Sequence, residues 1–228
     1  MSSSRKILRI SINLLVCLGV VPVIYYPTIT LSIDQLTDNY NNSTVTDLSN
    51  FTNYSSSISG VKVKYPLNWQ HAEQPVGRIY IIQFFSPLQN DADNFRDNIN
   101  IAIENLPNNR TNVTQYSNAS IRVITRSLPG FNLIASNNSE NFHGSPAAEK
   151  IFTAKQAVLD KNLKAVALDL KMTQLYTLKN NKAYVITYAA ETSNYDRYLP
   201  TVQKMIDSFQ IMNLASNSSR GTSANVTS

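Results

Sequence analysis

Alternation of apolar and polar residues predicts most of the strands in this chain. A strand that buries one face carries an apolar side chain at every second position. Residues 98–104, with the sequence Asn-Ile-Asn-Ile-Ala-Ile-Glu, follow this rule without a break. Residues 60–66 follow it up to a proline, which indicates that the strand ends in a turn. Three more strands are predicted at residues 79–85, 131–136 and 147–154, with a polar turn over 137–146.

Apolar positions spaced by three and four residues predict two helices, over residues 112–126 and 195–209. Between them, residues 163–178 and 182–191 form two further predicted strands. The pair Asn180-Asn181 separates these strands, and asparagine tolerates the positive φ that a tight hairpin turn requires. The chain therefore contains a predicted hairpin between its two helices.

The order of predicted elements is β-β-β-α-β-β-β-β-α, with short connections between the strands. Short connections join antiparallel neighbours, so the sequence predicts an α+β fold with helices packed on an antiparallel sheet of six to seven strands. The predicted core consists of Val61, Val63, Tyr65, Trp69, Ile81, Phe84, Ile99, Ile101, Ile151, Tyr176, Tyr184, Ile186 and Phe209.

The first 31 residues combine a basic start with a long uncharged stretch. Arg5, Lys6 and Arg9 carry three positive charges, and residues 10–31 carry no charge. As a helix this stretch would span about 33 Å, which matches the hydrocarbon layer of a membrane of about 30 Å. No small-residue cleavage pattern follows it, so an uncleaved membrane anchor is favoured over a cleaved signal peptide, which would release a secreted protein. The positive-inside rule places the rest of the chain outside the cytoplasm.

Polar stretches rich in Asn, Ser and Thr flank the predicted domain. Residues 32–59 are predicted to be a flexible stalk, and residues 213–228 a disordered tail, because neither holds enough apolar side chains to order itself. One domain remains at residues 60–212. Its single-domain size and the apolar content of the chain, 43%, are sufficient for a hydrophobic core.

Charge and cysteine content exclude several classes of function. The net charge is +5, and three of those charges belong to the N-terminal segment, so no basic face for nucleic acid is indicated. Cys17, the one cysteine, lies in the apolar stretch, so the domain can form neither a disulfide nor a thiolate metal site. The chain contains no glycine-rich nucleotide loop and no C-x-x-C motif, so no cofactor is predicted.

Ten N-x-[ST] triplets are present, roughly twice the number that the composition predicts by chance. They begin at Asn41, Asn42, Asn50, Asn53, Asn109, Asn112, Asn118, Asn137, Asn217 and Asn225. They either reflect the polar composition of the chain or are acceptors of N-linked glycans on a surface protein. The second interpretation agrees with the predicted export.

An acidic loop is the first candidate for a cation site. Asp91, Asp93 and Asp97 have spacings that start like a calcium-binding loop, but the pattern then lacks its turn glycine and its final carboxylate. A solvated acidic loop is the alternative interpretation. If calcium or another divalent cation binds, these residues are the first candidates, followed by Glu140 and His143.

No catalytic constellation can be assembled from the sequence. The two histidines, His71 and His143, are far apart and have no assignable Ser and Asp partners. His71 is interpreted as a turn residue. A hydrolase would be favoured only by a cavity that combines one of the two histidines with two carboxylates.

Several short motifs resemble the PsbP family, and most closely the stand-alone PsbP-like domains of archaeal surface proteins. They are Val-Lys-Val-Lys-Tyr-Pro-Leu-Asn-Trp at 61–69, Phe-Phe-Ser-Pro at 84–87, Asn-Ile-Asn-Ile at 98–101, Ala-Tyr-Val-Ile-Thr-Tyr-Ala-Ala at 183–190, and a final helix at 198–209 that ends in Ser-Phe.

The resemblance covers most of residues 60–212 and implies an α/β/α sandwich around an antiparallel sheet. This fold occurs in the extrinsic subunit of the plant oxygen-evolving complex and in a nuclear-import factor that binds a small GTPase. The resemblance implies a protein that binds or assists assembly without catalysis. The plant subunit's role in retaining calcium and chloride is not carried over, because this chain has a predicted anchor and a sequon-rich stalk.

The sequence therefore predicts a membrane-tethered PsbP-like binding or assembly module, without catalysis, on the outer side of a membrane. Its predicted partners are the membrane, through the N-terminal helix, and another envelope protein or complex, but no nucleic acid. Two alternatives stay open: an N-glycosylated structural protein of the cell surface, and an accessory subunit that binds a divalent cation.

Overall fold

A computed structural model describes residues 50–89, 93, 95–107, 110–159 and 164–212. The predicted anchor at 1–31, the stalk up to residue 49 and the tail at 213–228 lie outside the described residues. Within the described part of the chain, no helix is long and apolar enough to cross a membrane. The membrane anchor stays a prediction.

The described residues form ten strands and two helices. In chain order these are β1 (Phe51–Ser56), β2 (Val61–Pro66), β3 (Gln70–Val76), β4 (Ile79–Phe85), β5 (Asn98–Asn105), α1 (Val113–Ser127), β6 (Asn132–Phe142), β7 (Ser145–Leu159), β8 (Ala165–Lys179), β9 (Lys182–Glu191), α2 (Tyr195–Ser208) and β10 (Gln210–Ile211). A seven-stranded antiparallel sheet has the order β3-β4-β5-β9-β8-β7-β6, and a smaller one has the order β1-β2-β10. The predicted α+β class and the antiparallel sheet are confirmed.

The large sheet is buried on both faces, as its strand β9 shows. Val185 packs on one face with Val113 and Tyr116 of α1. The next residue, Ile186, belongs to the cluster on the other face, which contains Val202 of α2 and residues of β2. Helix α1 forms one outer layer, and α2 with the small sheet forms the other. The predicted α/β/α sandwich is therefore confirmed. Its α2 layer also contains the three strands of the small sheet, β1, β2 and β10.

Local sequence signals explain the start of α1 and the β8–β9 turn. Asn112 accepts a hydrogen bond from the backbone N–H of Gln115 at 2.8 Å, and the Gln115 side chain accepts one from the N–H of Asn112 at 3.3 Å, which completes a capping box. Asn180 and Asn181 have φ values of 52° and 59°, as the hairpin prediction requires. The Asn181 side chain also donates to the carbonyl of Leu106 at 2.8 Å.

Residues 50–59 belong to the fold, which corrects part of the stalk predicted at 32–59. Strand β1 pairs with β2 along its whole length. Tyr54 is buried, and its ring contacts the ring of Phe84 edge-on at 5.5 Å. One buried aromatic residue and a full ladder of backbone hydrogen bonds order this segment, although its composition is as polar as that of a linker.

The sequence missed β3 and placed the β6–β7 turn too broadly. Strand β3 is a mostly exposed edge strand that contains Pro75, so it lacks the alternation that marks a half-buried strand. Strands β6 and β7 extend through most of the predicted turn at 137–146, because the chain reverses tightly at His143 and Gly144, whose φ values are 50° and 79°.

Eleven of the thirteen predicted core residues are buried, and Tyr65 and Ile151 are half-buried instead. Its neighbour Phe152 is fully buried and packs with Ile124 of α1. Helix α1 packs against β7, whereas α2 packs mainly against β2 and β9, so the side of β7 that carries Ile151 is less covered. The assignment of faces on β7 was therefore wrong by one residue.

Candidate functional site

A groove lies between α2, β10 and the turn that joins β6 to β7. It consists of two adjoining depressions of about 250 and 300 Å³ that share Phe142 and His143, and it is called here the His143 groove. The smaller depression is also lined by Ser145, Thr177, Lys179, Phe209, Gln210 and Ile211. The larger one is also lined by Glu140, Asn141, Glu149, Thr173, Leu175, Gln203, Ile206 and Asp207.

The β6–β7 turn fixes the centre of this groove. The Asn141 side chain accepts a hydrogen bond from the N–H of Gly144 at 2.9 Å, which closes the turn around His143. The ring of Phe142 contacts the His143 ring at 4.3 Å and the Phe209 ring at 5.8 Å. These ring contacts join the turn to the core at the end of α2.

The rim of the larger depression is acidic. Glu140, Glu149 and Asp207 line it, and its lining residues include neither Lys nor Arg. Glu140 accepts a hydrogen bond from the Asn137 side chain at 2.5 Å, and Asp207 accepts one from Gln203 at 2.8 Å. Burial raises the pKa of Glu149 above its ordinary value, and the negative charge of Glu140 raises it further. A cationic group bound here would relieve that repulsion.

The floor of the same depression is apolar. Leu175 and Ile206 are half-buried and pack, with Phe142, against the core cluster beneath α2. An apolar floor with an acidic rim suits a ligand that has an apolar part and a positive charge, because each part then meets a complementary surface.

His143 shares this depression with Glu140 and Glu149, which is the combination that would favour an enzyme. Within the described residues, however, His143 contacts the Phe142 ring and no hydrogen bond ties it to a carboxylate or hydroxyl. A catalytic base is normally held in place by such a partner. The part of the chain that the structure describes also contains no group of three or more His, Cys, Asp or Glu residues that could hold a metal ion.

The acidic loop predicted as a cation site is only partly described. Asp91 lies outside the described residues. Both oxygens of Asp93 accept backbone hydrogen bonds at 2.9 Å, from Gln89 and Phe95, so this carboxylate stabilises its own loop. Asp97, which precedes β5, is only 1% exposed, and neither of its carboxylate oxygens has a hydrogen-bond partner. The second pair of candidates, Glu140 and His143, meets in the His143 groove.

His71 lies in strand β3, so its interpretation as a turn residue was wrong. Its Nδ1 is 3.1 Å from the hydroxyl of Tyr65, and its ring packs edge-on against Tyr54 and Tyr65. The side chain is exposed and covers the end of the core aromatic cluster. These contacts describe packing at the surface of the sandwich.

A row of polar side chains crosses the large sheet beneath α1. Gln83, Asn100, Thr187, Gln174 and Lys150 are neighbours on successive strands, and all five are buried. Gln83 donates to Asn100 at 2.8 Å, and Gln174 donates to Thr187 at 3.0 Å. Polar residues at alternate strand positions normally indicate a solvent face, so the sequence did not indicate that α1 covers this row.

Lys150 ends this row on β7, next to the edge strand β6. Its ammonium donates to Ser136 Oγ and Asn138 Oδ1 of β6, both at 2.6 Å. No carboxylate among the described residues pairs with it, and burial lowers its pKa below the ordinary value. These two hydrogen bonds tie the edge strand β6 to its neighbour β7.

Five of the ten sequons fall on described residues. The asparagines at 50, 53, 112 and 137 are exposed. Asn118 is half-buried on α1, and Ser120, the third residue of its triplet, is buried. The exposed positions are accessible to a glycan, whereas Asn118 is only partly exposed in the folded domain.

No family model matches this chain, and no curated protein matches its sequence. Solved structures similar to it include the solution structure of cyanobacterial PsbP (CyanoP) from Synechocystis, with 11% identity and a TM-score of 0.49, over 75% of this chain and 98% of that one. Mog1p, a Ran-binding protein of Saccharomyces cerevisiae, has 9% identity and a TM-score of 0.47, over 72% and 96%. PA94, a Pseudomonas aeruginosa protein of unknown function, has 16% identity and a TM-score of 0.47, over 69% and 94%.

Proposed function

We propose that this chain is a membrane-tethered binding or assembly module without catalysis, and that its His143 groove receives a basic segment of another envelope protein. The observation that carries this proposal is the larger depression of the groove, with its apolar floor and its acidic rim. Grooves of this kind bind extended or helical segments through a few anchoring side chains.

The charge of the groove defines the chemistry of the partner. Three carboxylates face one depression without a Lys or Arg among its lining residues. A Lys or Arg of the partner, placed beside Glu149, would favour the charged carboxylate and offset the repulsion from Glu140. Apolar residues next to that cation would cover Leu175 and Ile206. The partner segment is therefore amphipathic and basic.

The predicted location and the PsbP resemblance complete the proposal. A basic and then apolar N-terminus supports a retained anchor with the domain outside the cytoplasm. The polar residues that precede β1 would act as a spacer between the bilayer and the domain. The PsbP-like motifs support a role in docking onto a complex or stabilising it.

Site-directed photo-crosslinking in native membranes tests the groove directly. Full-length protein would carry a photoreactive phenylalanine in place of Gln203, which lines the groove, or in place of Arg122, which is exposed on α1 as a control. We expect a crosslink to one envelope protein from position 203 only, mapped by mass spectrometry to a segment containing Lys or Arg. Crosslinks confined to the bait, or equal at both positions, would refute the proposal.

A charge reversal provides the matched test of the acidic rim. Asp207→Lys should reduce the crosslink from position 203 by about tenfold or more, because it places a positive charge against the basic segment. Asp169→Lys changes an exposed aspartate that does not line the groove, and it should leave the yield unchanged. Equal yields from both variants would show that the acidic rim does not select the partner.

A second candidate function is an N-glycosylated structural protein of the cell surface. The exposure of Asn53 and Asn137 in the fold favours it. Glycopeptide mass spectrometry of protein purified from its own cells would detect glycans at these positions. Deleting residues 37–49, which precede the described fold, should then impair the cells more than Asp207→Lys does.

A further inference from the structure

Most of the large apolar side chains that the fold leaves exposed lie at one end of the sandwich. Six such side chains are exposed among the described residues: Ile58, Leu67, Leu88, Leu133, Ile134 and Leu199. All except Ile58 lie at the end where β2 leads into β3, which is called here the Leu67 end. Single exposed apolar residues are ordinary, but a group of them on one surface marks a site that binds a protein or a membrane.

The register of the large sheet places four of these residues together. One row of paired residues crosses all seven strands at this end: Gln70, Phe85, Asn98, Ala189, Met172, Phe152 and Leu133. Leu133 belongs to this row, and Ile134 follows it. Leu67 lies in the turn that leads into β3, and Leu88 lies in the connection that follows β4.

The start of α2 reaches the same end. The ring of Tyr198 contacts the ring of Trp69 edge-on at 5.5 Å, and Arg197 donates to the Gln89 side chain at 2.6 Å. The start of this helix, which includes Leu199, therefore lies beside the β2–β3 turn and the β4–β5 connection.

Strands β7 and β8 extend beyond the rest of the sheet at the Leu67 end. The neighbouring strands β6 and β9 pair with them only as far as Thr153 and Leu170. The last four pairs, residues 156–159 with 165–168, therefore form a two-stranded ribbon. At about 3.4 Å per residue this ribbon is about 10 Å long. Of its eight residues, Gln156 is the only polar one.

The chain enters the fold at this end too. The carbonyl of Asn50 accepts a hydrogen bond from the N–H of Leu67 at 2.8 Å, so β1 is connected to the preceding residues beside Leu67. Residues 32–49, which separate Asn50 from the predicted anchor, span no more than about 60 Å even when fully extended. A tether of this length keeps the domain near the bilayer, so that even a weak contact is populated.

We propose that the Leu67 end is a membrane-docking face, which lies on the bilayer that holds the predicted anchor. Leu67, Leu133 and Ile134 enter the boundary between headgroups and acyl chains, and the apolar ribbon enters it beside them. The face therefore binds lipid through apolar side chains.

Charge does not select this partner. Arg96 and Arg197 lie at the Leu67 end, but so do Asp93 and Glu191. Because both signs of charge are present, the face requires neither an anionic lipid nor a charged protein.

This orientation directs the His143 groove away from the bilayer. The groove is formed by the last part of α2 and the β6–β7 turn, whereas the first residues of α2 and β6 belong to the Leu67 end. A partner therefore reaches the groove from the side opposite the membrane. The inference rests on the predicted anchor of the proposed function.

Fluorescence quenching of the full-length protein in phosphatidylcholine vesicles tests this face. In a Cys17→Ser background, a single cysteine that carries the fluorophore NBD replaces Leu67, or Ile58 at the opposite end as the matched control. Nitroxide groups on the acyl chains of both leaflets quench NBD in either orientation of the anchor. Quenching at position 67 should exceed that at position 58 about threefold or more, because only position 67 touches the acyl chains.

An alkaline carbonate wash of the same vesicles, after the quenching measurement, tests the anchor separately. If the protein stays in the vesicles but both positions are quenched equally, or not at all, the anchor stands and the docking face is overturned. If the protein is lost after stronger quenching at position 67, the anchor is refuted and the face is supported as a surface that binds lipid by itself. Loss without that difference would overturn both.

A charge placed in the face provides a second test. With NBD on a cysteine in place of Ala167, which is exposed on the ribbon, Leu67→Asp should reduce quenching by about half or more, because a carboxylate is unfavourable in an apolar layer. Ile58→Asp should leave the quenching unchanged. Far-UV circular dichroism checks the folding of both variants, and Leu133→Asp replaces Leu67→Asp if that variant does not fold. Equal quenching in the variants of the two ends would overturn the proposal.

Discussion

Replacing Tyr176 with phenylalanine tests whether the polar groups beneath α1 hold the helix on the sheet. Tyr176 is fully buried, its hydroxyl lies 3.0 Å from Ser120 Oγ, and it donates to Oε1 of Gln174. Tyr176→Phe keeps the ring in place and removes both interactions. Leaving a buried polar partner short of a hydrogen bond costs about 1–3 kcal/mol, so the free energy of unfolding should fall by about that amount.

The assay is urea unfolding followed by the fluorescence of Trp69, the single tryptophan of the chain, which is buried. At about 2–4 °C per kcal/mol, the expected loss corresponds to a drop of several degrees in melting temperature. Ser120→Ala and the double variant complete a thermodynamic cycle. Because the two hydroxyls contact each other, their coupling energy should be about 0.5 kcal/mol or more.

Two results would refute this reasoning. A Tyr176→Phe variant as stable as wild type would show that the hydroxyl is not required for the stability of the buried network. Additive effects of the two substitutions would show that Ser120 and Tyr176 do not depend on each other. Either result would show that the packing of α1 on the sheet does not depend on these buried polar groups.

Further predictions concern ionisation, helix capping and the buried lysine. Burial raises the pKa of Tyr54 and Tyr188, so the unfolded chain releases these protons first, near pH 10, and stability that is complete below about pH 10 should fall above it. Ionisation of all twelve tyrosines before unfolding, measured by phenolate absorbance, would contradict this. Asn112→Ala should cost about 1 kcal/mol through the lost cap, whereas Asn112→Asp should keep the melting temperature, and both remove the same sequon. Equal melting temperatures for these two variants would mean that the cap contributes nothing. Lys150→Met should leave stability unchanged or raise it in urea unfolding, because it removes a buried charge without a carboxylate partner, whereas Lys150→Glu should lose about 3 kcal/mol or more.

Strands with a strong periodic signal were predicted closely. The alternation at 98–104 gave β5 within one residue, and Asn180-Asn181 located the β8–β9 turn. Both signals are local, because a pleated strand or a tight turn imposes its own residue preferences. Strand β1 was not predicted, because it is ordered by its pairing with β2, and composition does not reveal that pairing.

The candidate sites were less accessible to sequence reasoning. Glu140 and His143 were named as candidates, but Glu149 and Asp207, which line the same depression, were not. Glu149 lies on β7 and Asp207 on α2, and no sequence spacing indicates that the fold brings both to one depression. For Asp97 the acidic loop was visible in the sequence, whereas the burial of the carboxylate could only come from the fold.

The small sheet has a consequence for when this protein can fold during its synthesis. Strand β2 lies between β1 and β10, and Lys62 of β2 pairs with Gln210 of β10. Nearly the entire domain is therefore made before one edge of β2 receives its partner. Until then a nascent chain leaves Val61 and Lys62 without a strand partner on that edge, where a second chain can pair with them. A ribosome or export channel that still holds residues 210–211 would keep the sandwich open on this side.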